Sequence, residues 1–224
     1  MFNNYIIYIY YNKFKLFKNN KYIINYYKYI YKYIYKYIYS MSELHLILGP
    51  MFAGKTTTLI NKANEISDFH KNKDEILIIN HSSDTRYSEN TFITTHDNIK
   101  IPCIAMTSLC TIFENKILNI TNIKYIFINE GQFFYDLFDI IKALLFNYKI
   151  IIYICGLDGD YKQTPFPNCK LLNLIPLSSS VIKLNANCTY CKKNAPFTKR
   201  IIKSSDIFLV GGSESYQPVC IEHL

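Results

Sequence analysis

Residues 49–57 read GPMFAGKTT and fit the pattern G-x-x-x-x-G-K-[ST]. The spacing has a physical meaning. Gly49 and Gly54 let the backbone wrap a polyphosphate with its N–H groups, Lys55 reaches the terminal phosphates, and the Thr56 hydroxyl can ligate Mg²⁺. The apolar run 44–48 precedes the loop as a strand, and the Gly- and Pro-free stretch 58–64 follows it as a helix whose N-terminal dipole favours anions.

Opposite such a loop a carboxylate is needed, to hold a metal or take a proton. Ile126, Phe127 and Ile128 lead into Asn129-Glu130-Gly131-Gln132-Phe133-Phe134. Glu130 is the candidate general base, at the carboxyl end of a strand, where ligands bind in folds of this kind. Between the two lie Asp84-Thr85-Arg86-Tyr87 and Thr95-His96-Asp97. Arg86 and Arg200 are the two arginines in a chain that otherwise uses lysine, which hints that a planar fork is needed there, as for phosphate. His96 reads as a solvated loop residue, since nothing beside it completes a site. A third constellation, Cys188-x-x-Cys191 with Cys220-x-x-His223, can set four ligands tetrahedrally around a structural Zn²⁺. Such a clamp closes a segment too short to bury its own core.

These residues need a scaffold. Strands are expected at 44–48, 75–80, 124–129, 149–155 and 181–184, with helices at 57–66 and 134–146, the alternation of an α/β fold with a mostly parallel sheet. From 187 onward short segments with Cys, Pro and Gly mark a small appended domain. The expected division is an extension at 1–40, a nucleotide-binding α/β domain at 41–186 and a metal-binding domain at 187–224.

The formal net charge of +8 belongs to the extension, which holds seven lysines and no acid. That leaves 18 of the 25 basic residues against 17 acidic ones in 41–224, so basicity is weak evidence for nucleic-acid binding by the folded part. The extension is low-complexity, with YKYIYKYIYKYIY at 27–39, and reads as weakly ordered or disordered. It lacks the ~20-residue apolar span of a membrane helix, a signal-peptide cleavage site, and the Arg and Ser of a transit peptide. Met41 is an alternative start. Seven scattered cysteines without an export signal point to metal binding rather than disulfides, and to the cytoplasm.

Taken in order, GPMFAGKT, DTRY, EGQFF, LDGDY, TKR and the Cys/His ligands resemble the type II thymidine kinases, the family with a zinc-bearing lasso domain. The likeness spans 43–223. It implies a P-loop NTPase core with a mostly parallel sheet plus a zinc-binding lasso, and a phosphotransferase moving the ATP γ-phosphate to the 5′-hydroxyl of thymidine. By resemblance Glu130 is the catalytic base. Gly49, Pro50, Met51, Phe52, Ala53, Gly54, Lys55, Thr56, Asp84, Thr85, Arg86, Asn129, Gly131 and Gln132 line the site for ATP and Mg²⁺. The nucleoside pocket falls on the lasso backbone at Ile207, Phe208, Leu209, Val210 and Gly211, with Tyr216 closing over sugar and base. Met51, Phe133, Leu157, Tyr161, Phe166 and Thr198 match further pocket positions, Tyr161 where an aromatic stacks on the base. The implied partners are thymidine and ATP, with neither nucleic acid nor membrane, in a homo-oligomer that is often a tetramer.

One departure from the family is Asn129, where many members carry Asp. Asn keeps an acceptor oxygen but loses the charge, so the expectation is an active enzyme with weakened Mg²⁺ affinity, Thr56 and Asp84 compensating. Two rival readings remain from other classes: a nucleic-acid-binding ATPase, and a catalytically impaired homologue with a binding role.

Overall fold

Residues 43–49, ELHLILG, form β1 (Glu43–Gly49), whose alternate side chains serve two cores. Leu44, Leu46 and Leu48 enter one cluster and Ile47 the other. This is the period-two alternation of a strand covered on both faces. The computed structural model describes residues 42–69, 73–83, 92–94, 99–114, 119–203, 209 and 211–224. The extension lies outside them.

β1 sits inside a six-stranded sheet with β2 (Ile76–His81), β5 (Ile104–Met106), β6 (Tyr125–Ile128), β7 (Ile151–Leu157) and β8 (Ser180–Lys183), in the order β5-β2-β6-β7-β1-β8. Every ladder in it is parallel, a stricter result than the mostly parallel sheet expected. Parallel pairing puts the carboxyl ends of all six strands along one edge, which is where a ligand site forms. Two helices cover the faces. α1 (Lys55–Phe69) buries Leu59, Ile60 and Ala63 against Ile47, Phe127 and Cys155. α2 (Thr111–Glu114) is a single turn. α3 (Leu137–Asn147) turns Leu137, Ile141 and Leu144, at i, i+4 and i+7, onto the opposite face with Ile126, Ile128, Ile152 and Ile154.

Element ends differ from the sequence reading where the chain turns into the site. β6 stops at Ile128: the Asn129 N–H still donates to the Ile79 carbonyl at 2.9 Å, but Glu130 adopts the left-handed conformation (φ 54°, ψ 45°) and ends the ladder. A 3-10 turn, Gly131–Phe133, then delays the helix expected at 134 until Leu137. β7 runs on through Gly156 and Leu157, because Leu157 still pairs with Gly49. β5 and the antiparallel ribbon of β3 (Phe92–Thr94) and β4 (Lys100–Pro102) were not expected; at three residues each they are too short to show a period.

Beyond β8 the chain forms two short antiparallel ribbons, β9 (Ala186–Asn187) with β10 (Asn194–Ala195) and β11 (Phe197–Arg200) with β12 (Tyr216–Val219). Their shared core is Ala186, Cys188, Ala195, Val219 and Cys220, with Ala53 of the phosphate loop packed against it. No helix among the described residues is long and apolar enough to cross a membrane.

Candidate active site

The loop between β1 and α1 is shaped by its glycines. Gly49 (φ 145°) lies so close to the β8 side that a Cβ there would collide with the Leu184 carbonyl, and Gly54 (φ 77°) needs the left-handed region. Phe52 shares that region at φ 63°, as do Glu130, Gln163 and Lys192 among the described residues, a conformation uncommon for non-glycine residues. At the end of the loop the Thr58 N–H and hydroxyl both donate to the Gly54 carbonyl at 2.9 Å, starting α1. Lys55 is buried, its Nζ donating to the Pro50 carbonyl at 2.6 Å, so the ammonium lies over its own loop.

Two strands away, across β7, Glu130 stands at the same edge of the sheet, 8% exposed. Its carboxylate is held by Gln132, whose Nε2 donates to Glu130 Oε2 at 2.5 Å while its Oε1 accepts the Leu157 N–H at 3.0 Å. Gln132 thereby connects the acid to the end of β7. Gly156 makes room for it: a Cβ there would stand 2.7 Å from Gln132 Oε1.

Asn129 joins the loop to this strand end. Its Oδ1 accepts from the Thr56 hydroxyl at 3.2 Å and from the Cys155 thiol at 3.0 Å, and its Nδ2 donates to Asn80 Oδ1 at 2.9 Å. The position expected to be a weakened metal ligand is therefore an amide with both ends engaged, which an unpaired carboxylate could not reproduce. Thr56 Oγ1 and Asn129 Oδ1 are hard oxygen donors side by side, the chemistry Mg²⁺ takes when it keeps water and phosphate oxygens as its other ligands.

Of the residues expected to form the nucleoside pocket, Met51 donates its N–H to the Thr198 hydroxyl at 3.0 Å, tying the phosphate loop to β11. Phe133 packs near the His81 ring (5.6 Å between centroids), and Leu157 lies half-buried at the end of β7. Phe166 is half-buried in the loop after Tyr161, its carbonyl accepting the Cys169 N–H at 3.2 Å. Tyr161 and Tyr216 both meet Arg200, and the Tyr216 hydroxyl donates to the Leu209 carbonyl at 2.8 Å. Gly211 enters the turn before β12, where the Gly212 carbonyl accepts the N–H groups of Ser215 and Tyr216 at 3.1 and 3.0 Å. Asp84, Thr85, Arg86, His96, Ile207, Phe208 and Val210 lie outside the described residues.

The four expected metal ligands do converge. The ligand atoms of Cys188, Cys191, Cys220 and His223 lie within 4.8 Å of one another, with Cys191 Sγ and Cys220 Sγ 3.6 Å apart and Cys220 Sγ 3.2 Å from His223 Nδ1. Zn–S bonds of about 2.3 Å at tetrahedral angles need about 3.8 Å between sulfurs, so the donor set and its spacing fit Zn²⁺. Burial pushes the Cys188 thiol up, but backbone hydrogen bonds from Cys191, Cys220 and Tyr190 outweigh it and bring it down to about 6, preparing a thiolate. The Tyr190 ring stacks on His223, 5.1 Å between centroids, and orients the imidazole.

Sequence reasoning missed Asn80, Cys155 and the particular use of Arg200. The scarcity of arginine was the one available signal, and it pointed to phosphate, whereas the fork of Arg200 faces two tyrosines.

Comparison with known proteins gives a concordant result. A family model described as thymidine kinase matches residues 42–224. The thymidine kinase of Yaba monkey tumor virus is 41% identical over 179 residues, covering 79% of this chain and 91% of that one. That of vaccinia virus (strain Western Reserve) is 38% identical over 180 residues, 80% of this chain and 94% of the relative. A thymidine kinase of Oryza sativa subsp. japonica is 40% identical over 185 residues, 81% of this chain and 65% of the longer plant protein.

Proposed function

The chain belongs to the thymidine kinase family, and from that premise we propose that it transfers the γ-phosphate of ATP to the 5′-hydroxyl of thymidine, with Glu130 as the base. The observation that carries the reading is the pairing of a phosphate loop with a buried, left-handed glutamate at the same edge of one parallel sheet, joined by the Thr56–Asn129 bond.

The chain's own groups divide the work. Loop amides and Lys55 hold the phosphates and neutralise charge that grows in the transition state. Gln132 aims the Glu130 carboxylate, which accepts the proton of the 5′-hydroxyl as that oxygen attacks the γ-phosphorus in line and the bond to the β-phosphate oxygen breaks. Thr56 and Asn129, with Asp84, are the residues that would hold Mg²⁺; when bound, it supplies positive charge to the β and γ oxygens. Leu209, Gly211, Tyr161 and Tyr216, with Met51, Phe133, Leu157, Phe166 and Thr198, form the nucleoside side. Zn²⁺ on the Cys/His quartet is structural, since four protein ligands leave no open position.

The near-neutral charge of residues 41–224 and the well-held base favour this reading over a nucleic-acid-binding ATPase or an impaired homologue. A homo-tetramer in the cytoplasm, with 41–186 as the nucleotide-binding domain and 187–224 as the lasso, completes the proposal. Purified protein incubated with ATP and thymidine, and in parallel with deoxycytidine, tests it. Thymidine monophosphate in the first incubation is the expected product, and ADP release without a phosphorylated nucleoside would overturn it.

A further inference from the structure

Along β11, side chains alternate between two sides. Lys199 reaches the His223 carbonyl at 2.8 Å, while Thr198 and Arg200, two apart, share the other side. Thr198 grips the phosphate loop at Met51. Arg200 stacks its guanidinium on Tyr161, Cζ lying 3.8 Å from the ring centroid, and its Nη2 donates to the Tyr216 hydroxyl at 2.8 Å. A guanidinium has donors and no acceptor, so the Tyr216 oxygen must accept, which directs its proton to the Leu209 carbonyl at 2.8 Å. Arg200 thus connects three segments: the loop after β7, the β11–β12 ribbon, and the backbone at 209.

The Tyr161 end of this chain is itself fixed. Asp160, buried beside it, accepts from the N–H groups of Lys162 at 2.8 Å and Thr164 at 3.1 Å and from the Thr164 hydroxyl at 3.0 Å, locking the turn that carries the ring. The guanidinium covers one ring face closely, while the Lys162 ammonium, 5.6 Å from the same centroid, sits at the end of an exposed, flexible side chain that a ligand can displace; a flat ligand therefore stacks on the face that Arg200 leaves. Lysine supplies nearly all other positive charge in the chain, yet a point charge cannot both lie flat on one ring and donate in-plane to another.

We propose that Arg200 is a positioning residue for the nucleoside, fixing Tyr161 as a one-sided stacking platform and Tyr216 with the Leu209 carbonyl as the facing wall. The assignment rests on the reading of this site as a thymidine site. Such a residue acts on binding of the nucleoside in ground and transition state alike, so its loss raises the thymidine KM with kcat kept. A residue that merely supports the fold would lower Tm and the active fraction, reducing kcat with KM unchanged.

The test is steady-state kinetics of the full chain with Arg200→Lys, Tyr216→Phe and the double variant, Tyr216→Phe removing one hydroxyl and nothing else. Each single variant is expected to raise the thymidine KM by about tenfold, as loss of a charge-assisted hydrogen bond implies, with the ATP KM and kcat within about twofold of wild type. The double variant is expected to be no worse than the worse single one, because both break the same link. An unchanged thymidine KM in Arg200→Lys of an active enzyme overturns the role of Arg200 whatever Tyr216→Phe does, as does an additive double variant or a parallel rise in the ATP KM. A wild-type protein that phosphorylates no nucleoside overturns the thymidine reading and this role with it.

Discussion

The Thr56 hydroxyl donates to Asn129 Oδ1 across 3.2 Å, so the residue that closes the phosphate-loop motif is bonded to the residue that precedes Glu130, the proposed base. The bond makes the metal side of the site sensitive to the charge at position 129. In Asn129→Asp the donors at Thr56 and Cys155 still suit an oxygen, while the Asn80 amide must turn its Nδ2 toward the new carboxylate. Mg²⁺ gains a formal negative charge nearby, worth about 2–8 kcal/mol for a divalent ion at ~4 Å depending on the effective dielectric, most of it offset by desolvation of the buried carboxylate. Half-maximal activity should therefore need about tenfold less Mg²⁺ than in wild type. Superimposable Mg²⁺ titrations would mean that Asn129 does not limit metal binding.

Glu130 is buried, left-handed and hydrogen-bonded by Gln132, an arrangement suited to a base held in one orientation. Glu130→Gln keeps the shape but cannot take a proton. Turnover of thymidine should fall by about 10²–10⁴-fold, with ATP affinity measured by equilibrium binding within about twofold of wild type. Retained turnover would remove Glu130 from the role of base.

Much of the site could be read from the chain because its residues lie close together in sequence. A phosphate loop is a run of consecutive residues between a strand and a helix, and Glu130 follows its strand directly. The Cys/His quartet shows itself through two-residue spacings. The partners of these groups were not legible. Asn80 and Cys155 lie inside apolar strands, and only the β2-β6-β7 register brings them to Asn129. Arg200 meets Tyr161 and Tyr216 because the loop after β7 and the β11–β12 ribbon converge, a long-range event with no local period. The edge strand β5 is too short for alternation to announce it.

The buried core shared by the two ribbons is five residues, too few to hold them alone. Zn²⁺ on Cys188, Cys191, Cys220 and His223 should supply the difference. Stripping the full chain with a chelator, or substituting Cys188→Ser, is expected to remove about one zinc per chain by elemental analysis and lower Tm by roughly 10 °C. Activity should fall as well, because Thr198 of β11 holds the phosphate loop at Met51. A stripped protein that melts at the original temperature would make the quartet dispensable for the fold.

Gly156 offers a test of how the proposed base is aimed without substituting Glu130 or Gln132. A Cβ at 156 would stand 2.7 Å from Gln132 Oε1 and 2.6 Å from Leu171 Cδ2, so something must move. Leu171 can shift its methyl group, but the Gln132 amide is fixed at both ends, by Leu157 N–H and by Glu130. Gly156→Ala should therefore push Gln132 off Glu130 and lower kcat by about tenfold, with a stability loss of about 1–3 kcal/mol from overpacking. Gln132→Ala should give a similar kcat by deleting the same bond. In the double variant the truncated side chain leaves room for the new Cβ, so adding Gly156→Ala to Gln132→Ala should cost little further activity. Full kcat in Gly156→Ala, or fully multiplicative losses in the double variant, would show that Gln132 does not carry the effect of position 156 to the base.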